Sequence, residues 1–297
     1  MYKDYFGEIL TAMVTPFDDN GHIDWAALDA LVEHLLATGT DTLVVTGSTG
    51  EAATLSMAEK IQIYGYVVNK VGDRAKVIAG TGTNDTQETI ELSQRAQKLG
   101  VHGLMLVVPY YNKPPQDALY AHFSAVAAAC DLPILVYNVP GRTACNLLPA
   151  TVLRLAEIEN IFGIKEASGN LDQVSEIAAA APDDFVIYSG DDSLTLPILA
   201  VGGHGVVSVA SHVIGRQLKE MVQAYKRGYI KQAQQIHAAI FPVCKAMFVT
   251  TNPVPLKAAL NMIGINVGKP RLPLLPCPEQ ESFLIRQALV DFGLLSE

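Results

Sequence analysis

A chain of 297 residues with 49% hydrophobic content has enough apolar material for one barrel-sized domain, which excludes a disordered chain. A formal net charge of -9 and a pI near 5.2 exclude nucleic acid and anionic membrane as partners, because both require a basic face. Only 17% of residues are charged and the mean hydropathy is +0.24, high for a soluble chain, so part of the surface is expected to be buried between copies in a homo-oligomer.

In chain order, short apolar runs alternate with longer amphipathic ones, the pattern of βα units around a parallel sheet. The predicted strands are 8–14, 42–46, 76–79, 103–107, 133–137, 161–165, 185–189 and 205–209. Between them, 25–38, 57–71, 86–99, 116–129 and 171–180 carry apolar residues at three- and four-residue spacing and read as helices. Gly39, Gly72 and Gly100 fall where three of these should stop. Eight such repeats match a (β/α)8 TIM barrel over residues 1–227. A doubly wound sheet would carry a glycine-rich nucleotide loop after its first strand, where this chain has Met13, Val14, Thr15, Pro16 and Phe17. Residues 228–297 read as a small C-terminal helical appendage, with helices at 230–249, 255–263 and 279–292 and a stiff connector at 268–278 that holds four prolines.

Cys130, Cys145, Cys244 and Cys277 form no CxxC pair, and the seven histidines show no metal-site spacing. Neither a disulfide framework nor a metal is expected, and a reducing cytoplasm fits. The N-terminus lacks a charged leader followed by an apolar segment, and no run of about 18 apolar residues occurs.

In a barrel the active face lies at the C-terminal ends of the strands, and the polar residues of this chain collect there. Lys165 closes the run Ile161, Phe162, Gly163, Ile164 at the end of the sixth strand. Taken alone, it reads as a lysine that snorkels to solvent. A buried lysine, by contrast, is depressed from its usual pKa of about 10.4 and becomes a nucleophile for Schiff-base chemistry. The GSTGE segment at 47–51 offers free amides and two hydroxyls to a carboxylate, although alone it reads as a tight turn with a helix cap. Tyr110, Tyr111 and Tyr137 flank expected pocket positions, where a phenol can exchange protons with a carbinolamine. Arg142 is a turn arginine or a bidentate clamp for a second carboxylate.

The ordered set GSTGEAATL at 47–55, GTGTN at 80–84, PYYNKP at 109–114, YNVPGRT at 137–143, GIKEASGN at 163–170 and SGDD at 189–192 resembles the dihydrodipicolinate synthase family, within the pyruvate-dependent class I aldolases. The likeness covers nearly the whole chain. It implies a cytoplasmic lyase of the diaminopimelate route to lysine that condenses pyruvate with L-aspartate 4-semialdehyde without a cofactor, working as a tetramer, a dimer of dimers. It implies Lys165 as the Schiff-base lysine and Tyr137 as the central proton donor and acceptor, in a relay with Ser48 and with Tyr111 from a neighbouring subunit. Thr49 would hold the pyruvate carboxylate, the main chain of Val207 would close the pyruvate pocket, and Arg142 would bind the carboxylate of the semialdehyde.

The chain departs from the family in two places. Ser48 stands where the synthases commonly carry threonine, and serine also occurs there in the N-acetylneuraminate lyase branch; Arg142 and the 109–114 loop favour the synthase. The effector positions of lysine-inhibited relatives correspond to Ala52, Ala53, Met57, Lys60, Asn84, Glu88 and Tyr110, with Met57 and Lys60 replacing histidines, so weak or absent lysine inhibition is expected. The alternatives are a sibling pyruvate aldolase, such as N-acetylneuraminate lyase or a 2-keto-3-deoxy sugar acid aldolase, and an inactive pyruvate-binding barrel.

Overall fold

The computed structural model describes residues 2–296. Eight parallel strands close into a barrel in sequence order: β1 (Ile9–Ala12), β2 (Thr42–Val45), β3 (Lys76–Gly80), β4 (Gly103–Val107), β5 (Ile134–Asn138), β6 (Ile161–Glu166), β7 (Val186–Ser189) and β8 (Gly205–Ser208), with β8 returning to β1. The strands are buried almost throughout, as expected when helices cover one face and side chains fill the other.

The helices in chain order are α1 (Tyr2–Phe6), α2 (Trp25–Ala37), α3 (Met57–Val71), α4 (Thr86–Lys98), α5 (Gln116–Ala128), α6 (Pro140–Thr143), α7 (Pro149–Ala156), α8 (Leu171–Ala180), α9 (Thr195–Ala200), α10 (Ser211–Lys226), α11 (Ile230–Ala246), α12 (Val254–Met262) and α13 (Glu279–Asp291). Local chemistry sets several starts: Asp24, Asp85 and Asn170 accept amide hydrogens at their helix N-termini, and Ser56 and Glu59 form a reciprocal capping box at α3. The predicted strands and helices agree with these to within about two residues at most boundaries, the usual scatter of element ends. The short helices α1, α6, α7 and α9 were not among the predicted ones, since each offers too few turns for a periodic signal. α1 has a clear job: Phe6 stacks on Phe162 at 4.8 Å and plugs the N-terminal end of the barrel.

Two cores result. An outer one lies between strands and helices, and a smaller one fills the barrel interior with Leu10, Val44, Ile78, Met105, Leu135, Phe162, Val186 and Val207. Toward the C-terminal mouth the apolar filling gives way to Tyr137 and Lys165. The C-terminal helices do not stand apart: α11 packs along α10, and residues between α11 and α13 reach the GSTGE loop. All four cysteines are free, and among the described residues no helix is long and apolar enough to cross a membrane.

Candidate active site

Alternation along a regular strand would put Phe162 and Lys165 on opposite faces, because they are three residues apart. β6 resolves this with an irregularity: its register against β5 runs Ile134 to Ile161, then Leu135 to Gly163, so one extra residue is inserted. Beyond it Lys165 pairs with Tyr137 on one side and Tyr188 on the other, and its side chain points into the mouth of the barrel. Lys165 is 5% exposed, which decides between the two sequence readings: it does not snorkel.

Burial lowers the Lys165 pKa to about 8. Asp192 and Asp191 oppose that shift, and the Arg142 guanidinium adds to it. The ammonium lies 4.1 Å from the centroid of the Tyr137 ring. Burial also pushes the Tyr137 phenol up to about 12, so it is protonated at neutral pH, while Arg142 and a hydrogen bond with Ser48 pull the other way. Gly190 leaves room beside the lysine, since a Cβ there would stand 3.2 Å from Lys165 Cε and 2.6 Å from the Ala167 Cβ.

The neighbouring residues of both strands brace this pair. Asn138 and Glu166, partners in the next rung, are fully buried and face away from the mouth. The Glu166 carboxylate accepts from Asn138 Nδ2 at 3.1 Å, Gln173 Nε2 at 3.1 Å and the Ser168 amide at 2.6 Å. Asp192 ties the ends of β7 and β8 together, accepting from the Ser208 hydroxyl and from the amides of Val209 at 3.1 Å and Ala210 at 3.0 Å.

The GSTGE loop enters and leaves through left-handed backbone, with φ of 52° at Thr46 and 57° at Glu51. A β-branched residue in that region is strained, by about 1–3 kcal/mol, and such strain concentrates at functional loops. Thr46 is held there by Tyr64 Oη at 2.9 Å and the Gly80 carbonyl at 3.0 Å. Glu51 is buried against Lys257 of α12, with Oε1 to Nζ at 2.6 Å, an ion pair without linear hydrogen-bond geometry, while its Oε2 accepts from the Arg271 amide at 2.8 Å. Arg271 in turn donates to the Thr54 carbonyl at 2.9 Å and pairs with Glu59, whose carboxyl it holds at about 2.

Two adjoining cavities open here, of about 60 and 340 Å³. Ser48, Thr49, Tyr137, Arg142, Lys165 and Asp191 line the smaller; Ser48, Tyr137 and Arg142 also line the larger, together with Ala52, Ala53, Lys60 and Tyr110. Glu88 acts electrostatically on both Lys60 and Tyr110, and Asn84 is hydrogen-bonded to Tyr110, so these predicted effector residues gather around the same opening; Met57, Asn84 and Glu88 do not line the cavity itself. Burial lowers the Lys60 pKa and Glu88 raises it.

Two predicted site residues stand elsewhere. Val207 lies deeper, inside the barrel core, and it is Val209, two residues further on, that lines the smaller cavity. Tyr111 is 88% exposed with φ of 73° and lines neither cavity of its own chain. Sequence reasoning missed Asp191 as a lining residue, although SGDD was noted, and missed Asn252 and Phe248, which come from the C-terminal region and carry no motif. Among the described residues no group of three or more His, Cys, Asp or Glu side chains could hold a metal ion.

A closed barrel whose mouth buries an amine depressed toward neutrality, beside a protonated phenol and next to the Arg142 guanidinium, defines a class I aldolase-type lyase, in which a lysine is the nucleophile. The chain belongs to the dihydrodipicolinate synthetase family, whose model matches residues 5–290. It is 55% identical over 290 residues to the 4-hydroxy-tetrahydrodipicolinate synthase of Desulforudis audaxviator, covering 98% of this chain and 99% of that one. Among solved structures it is similar to dihydrodipicolinate synthase DapA-2 of Bacillus anthracis, with a TM-score of 0.94, 49% identity and coverage of 96% and 97%. It is similar also to the lysine-bound enzyme of Cyanidioschyzon merolae, with a TM-score of 0.96, 45% identity and coverage of 98% and 99%.

Proposed function

We propose that this chain is a 4-hydroxy-tetrahydrodipicolinate synthase, condensing pyruvate with L-aspartate 4-semialdehyde on the way to lysine. The observation that carries the reading is the buried Lys165 amine, brought to about pKa 8 and placed beside Tyr137 in a cavity that also presents Ser48, Thr49 and Arg142. Relatives of that name match over essentially the full length.

Neutral Lys165 attacks the keto carbon of pyruvate, and the carbinolamine loses water to leave a Schiff base. Tyr137, protonated at neutral pH, donates to the departing hydroxyl and takes a proton back, with the Ser48 hydroxyl as its hydrogen-bonded neighbour. The methyl group loses a proton to give the enamine, which attacks the aldehyde of the second substrate. The substrate's own amine then adds to the former keto carbon and expels the lysine, closing the ring and regenerating the free enzyme. Thr49 holds the pyruvate carboxylate and Arg142 that of the semialdehyde. The reaction needs no cofactor, since the lysine itself withdraws the electrons.

The exposure of Tyr111 and of Leu148 supports an oligomer in which Tyr111 completes a neighbour's relay, in keeping with a tetramer built as a dimer of dimers in the cytoplasm. Lys60 beside Tyr110 supports weak lysine inhibition, because its cation opposes that of the effector. A lysine titration of turnover showing submillimolar inhibition would overturn that part.

Mass spectrometry after pyruvate and borohydride tests the whole reading. An adduct on Lys165, depleted when aspartate semialdehyde is turned over, is the expected result. An adduct indifferent to the semialdehyde would point to a sibling aldolase, and no adduct would leave an inactive barrel.

A further inference from the structure

The loop between α11 and α12 reaches across the mouth of the barrel, and its Asn252 is 5% exposed and lines both cavities. Its side-chain Nδ2 donates to Thr49 Oγ1 at 2.9 Å, across 203 residues of sequence. Its backbone carbonyl accepts from the Arg142 guanidinium at 3.1 Å. One residue thus touches both groups assigned to the two substrate carboxylates, by two different parts of itself. Its Oδ1 is buried without a hydrogen-bond partner. An orphaned buried acceptor is unfavourable, and in this orientation it is Nδ2 that faces the Thr49 hydroxyl.

What Nδ2 does follows from the inventory of a hydroxyl, which has one hydrogen and two lone pairs. An N–H donated to Thr49 Oγ1 occupies a lone pair and leaves the hydroxyl hydrogen free to donate elsewhere. A carboxylate in the smaller cavity requires such a donor. Pro253 then leads directly into α12, and the α12 residue Lys257 pairs with Glu51, two residues beyond Thr49. The Thr49 to Asn252 and Glu51 to Lys257 contacts are two rungs between the GSTGE loop and the start of α12, so Asn252 approaches Thr49 on an anchored backbone.

We infer that Asn252 is a positioning residue that sets the Thr49 hydroxyl as a donor to the pyruvate carboxylate, while its main chain, and not its side chain, steadies Arg142. The inference rests on the proposed roles of Thr49 and Arg142. It makes a separation that general loosening of the loop would not: removing the side chain should affect pyruvate and spare the semialdehyde.

The test uses the full chain. Wild-type protein is first shown to trap pyruvate on Lys165 and to turn over the semialdehyde; failure there removes the proposed function and not this inference alone. Asn252→Ala is then expected to raise the pyruvate concentration for half-maximal borohydride trapping about tenfold, the loss of one useful hydrogen bond, while the KM for the semialdehyde stays within about twofold. Thr49→Val should raise the same pyruvate concentration, and the double variant should be no worse than Thr49→Val, because Asn252 acts through Thr49. An unchanged pyruvate requirement, penalties that multiply, or equal losses for both substrates would overturn the assignment. Should Asn252→Ala not fold by circular dichroism, Asn252→Ser, too short to reach Thr49, reads the same split.

Discussion

Tyr137 and Lys165 face each other as Cα partners on β5 and β6, with the lysine nitrogen 4.1 Å from the centre of the phenol ring. The pairing places an amine and an acid of matched purpose in one buried pocket, and burial moves both pKa values in the useful direction. The charged ammonium is disfavoured, so the amine falls to about 8; the charged phenolate is disfavoured too, so the phenol rises to about 12. Near neutrality the lysine is available as nucleophile and the tyrosine as proton donor.

Pyruvate trapping should therefore rise with pH through an inflection near 8, since a group of that pKa is about one-tenth neutral at pH 7, where an ordinary lysine is almost wholly charged. Asp191→Asn removes an anion that favours the ammonium and should move the inflection to lower pH. Arg142→Ala removes a cation that disfavours it and should move the inflection higher, while leaving trapping possible and raising the KM for the semialdehyde. Rapid-quench trapping across pH 6 to 10 checks all three, and shifts of the same sign in both variants would contradict the electrostatic account. The linkage has a stability side. Lys165 is harder to protonate folded than unfolded, so its charge opposes folding below pH 8 and ceases to do so as pH rises through the unfolded value of about 10.5. Lys165→Met should be the more stable protein near pH 7, on the order of 3 kcal/mol, and should lose that advantage at high pH.

Tyr137→Phe keeps the ring against the lysine but removes the acid. Positioned proton transfer contributes about 10²- to 10⁴-fold, so kcat should fall by that range with little change in thermal midpoint. Steady-state turnover with both substrates decides it; a variant within about threefold of wild type would take Tyr137 out of the proton path.

Much of this was legible in the sequence, and the reason is local. Each strand is a short apolar run bounded by glycine, proline or a helix-capping residue, and these signals depend on nearby residues alone. The site loops were legible for the same reason, because GSTGE and YNVPGRT sit at strand ends that the repeat pattern locates. The extra residue in β6 was not, since the three-residue spacing of Phe162 and Lys165 becomes informative only when both are known to point inward. Asn252 was hidden because its partner Thr49 is 203 residues away and neither neighbour of Asn252 carries a chemical signature. The depth of Val207 relative to Val209 depends on the stagger of β8 against β1, which no single-strand pattern encodes.

The Glu51 to Lys257 pair should be costly to break and cheap to replace as a unit. Both side chains are 2% exposed, and Lys257 Nζ also donates to the Lys269 carbonyl and lies 4.2 Å from the Phe17 ring centre. Lys257→Met leaves a buried carboxylate without its cation and should destabilise by about 3–5 kcal/mol. Glu51→Gln combined with Lys257→Met removes the stranded charge and should recover part of that loss. Thermal midpoints of the three proteins test this; a double variant less stable than Lys257→Met would mean that the carboxylate keeps its partners through Arg271 alone.

Tyr111 offers the sharpest test of a shared site. It is 88% exposed and held at a φ of 73° on the loop after β4, a left-handed conformation that a bulky residue adopts only when its surroundings require it. Among the described residues no hydrogen bond to the phenol is found, and the proposed relay would use it in the mouth of a neighbouring subunit. Lys165→Ala should be inactive, and Tyr111→Phe should lose most of its kcat. Mixing the two after dissociation and reassembly should restore activity: where the two variants share a dimer, one mouth combines an intact Lys165 with the intact Tyr111 of the partner, while the other lacks both. Activity of the mixture that merely equals the average of the separate variants would place Tyr111 outside the relay and make each barrel self-sufficient.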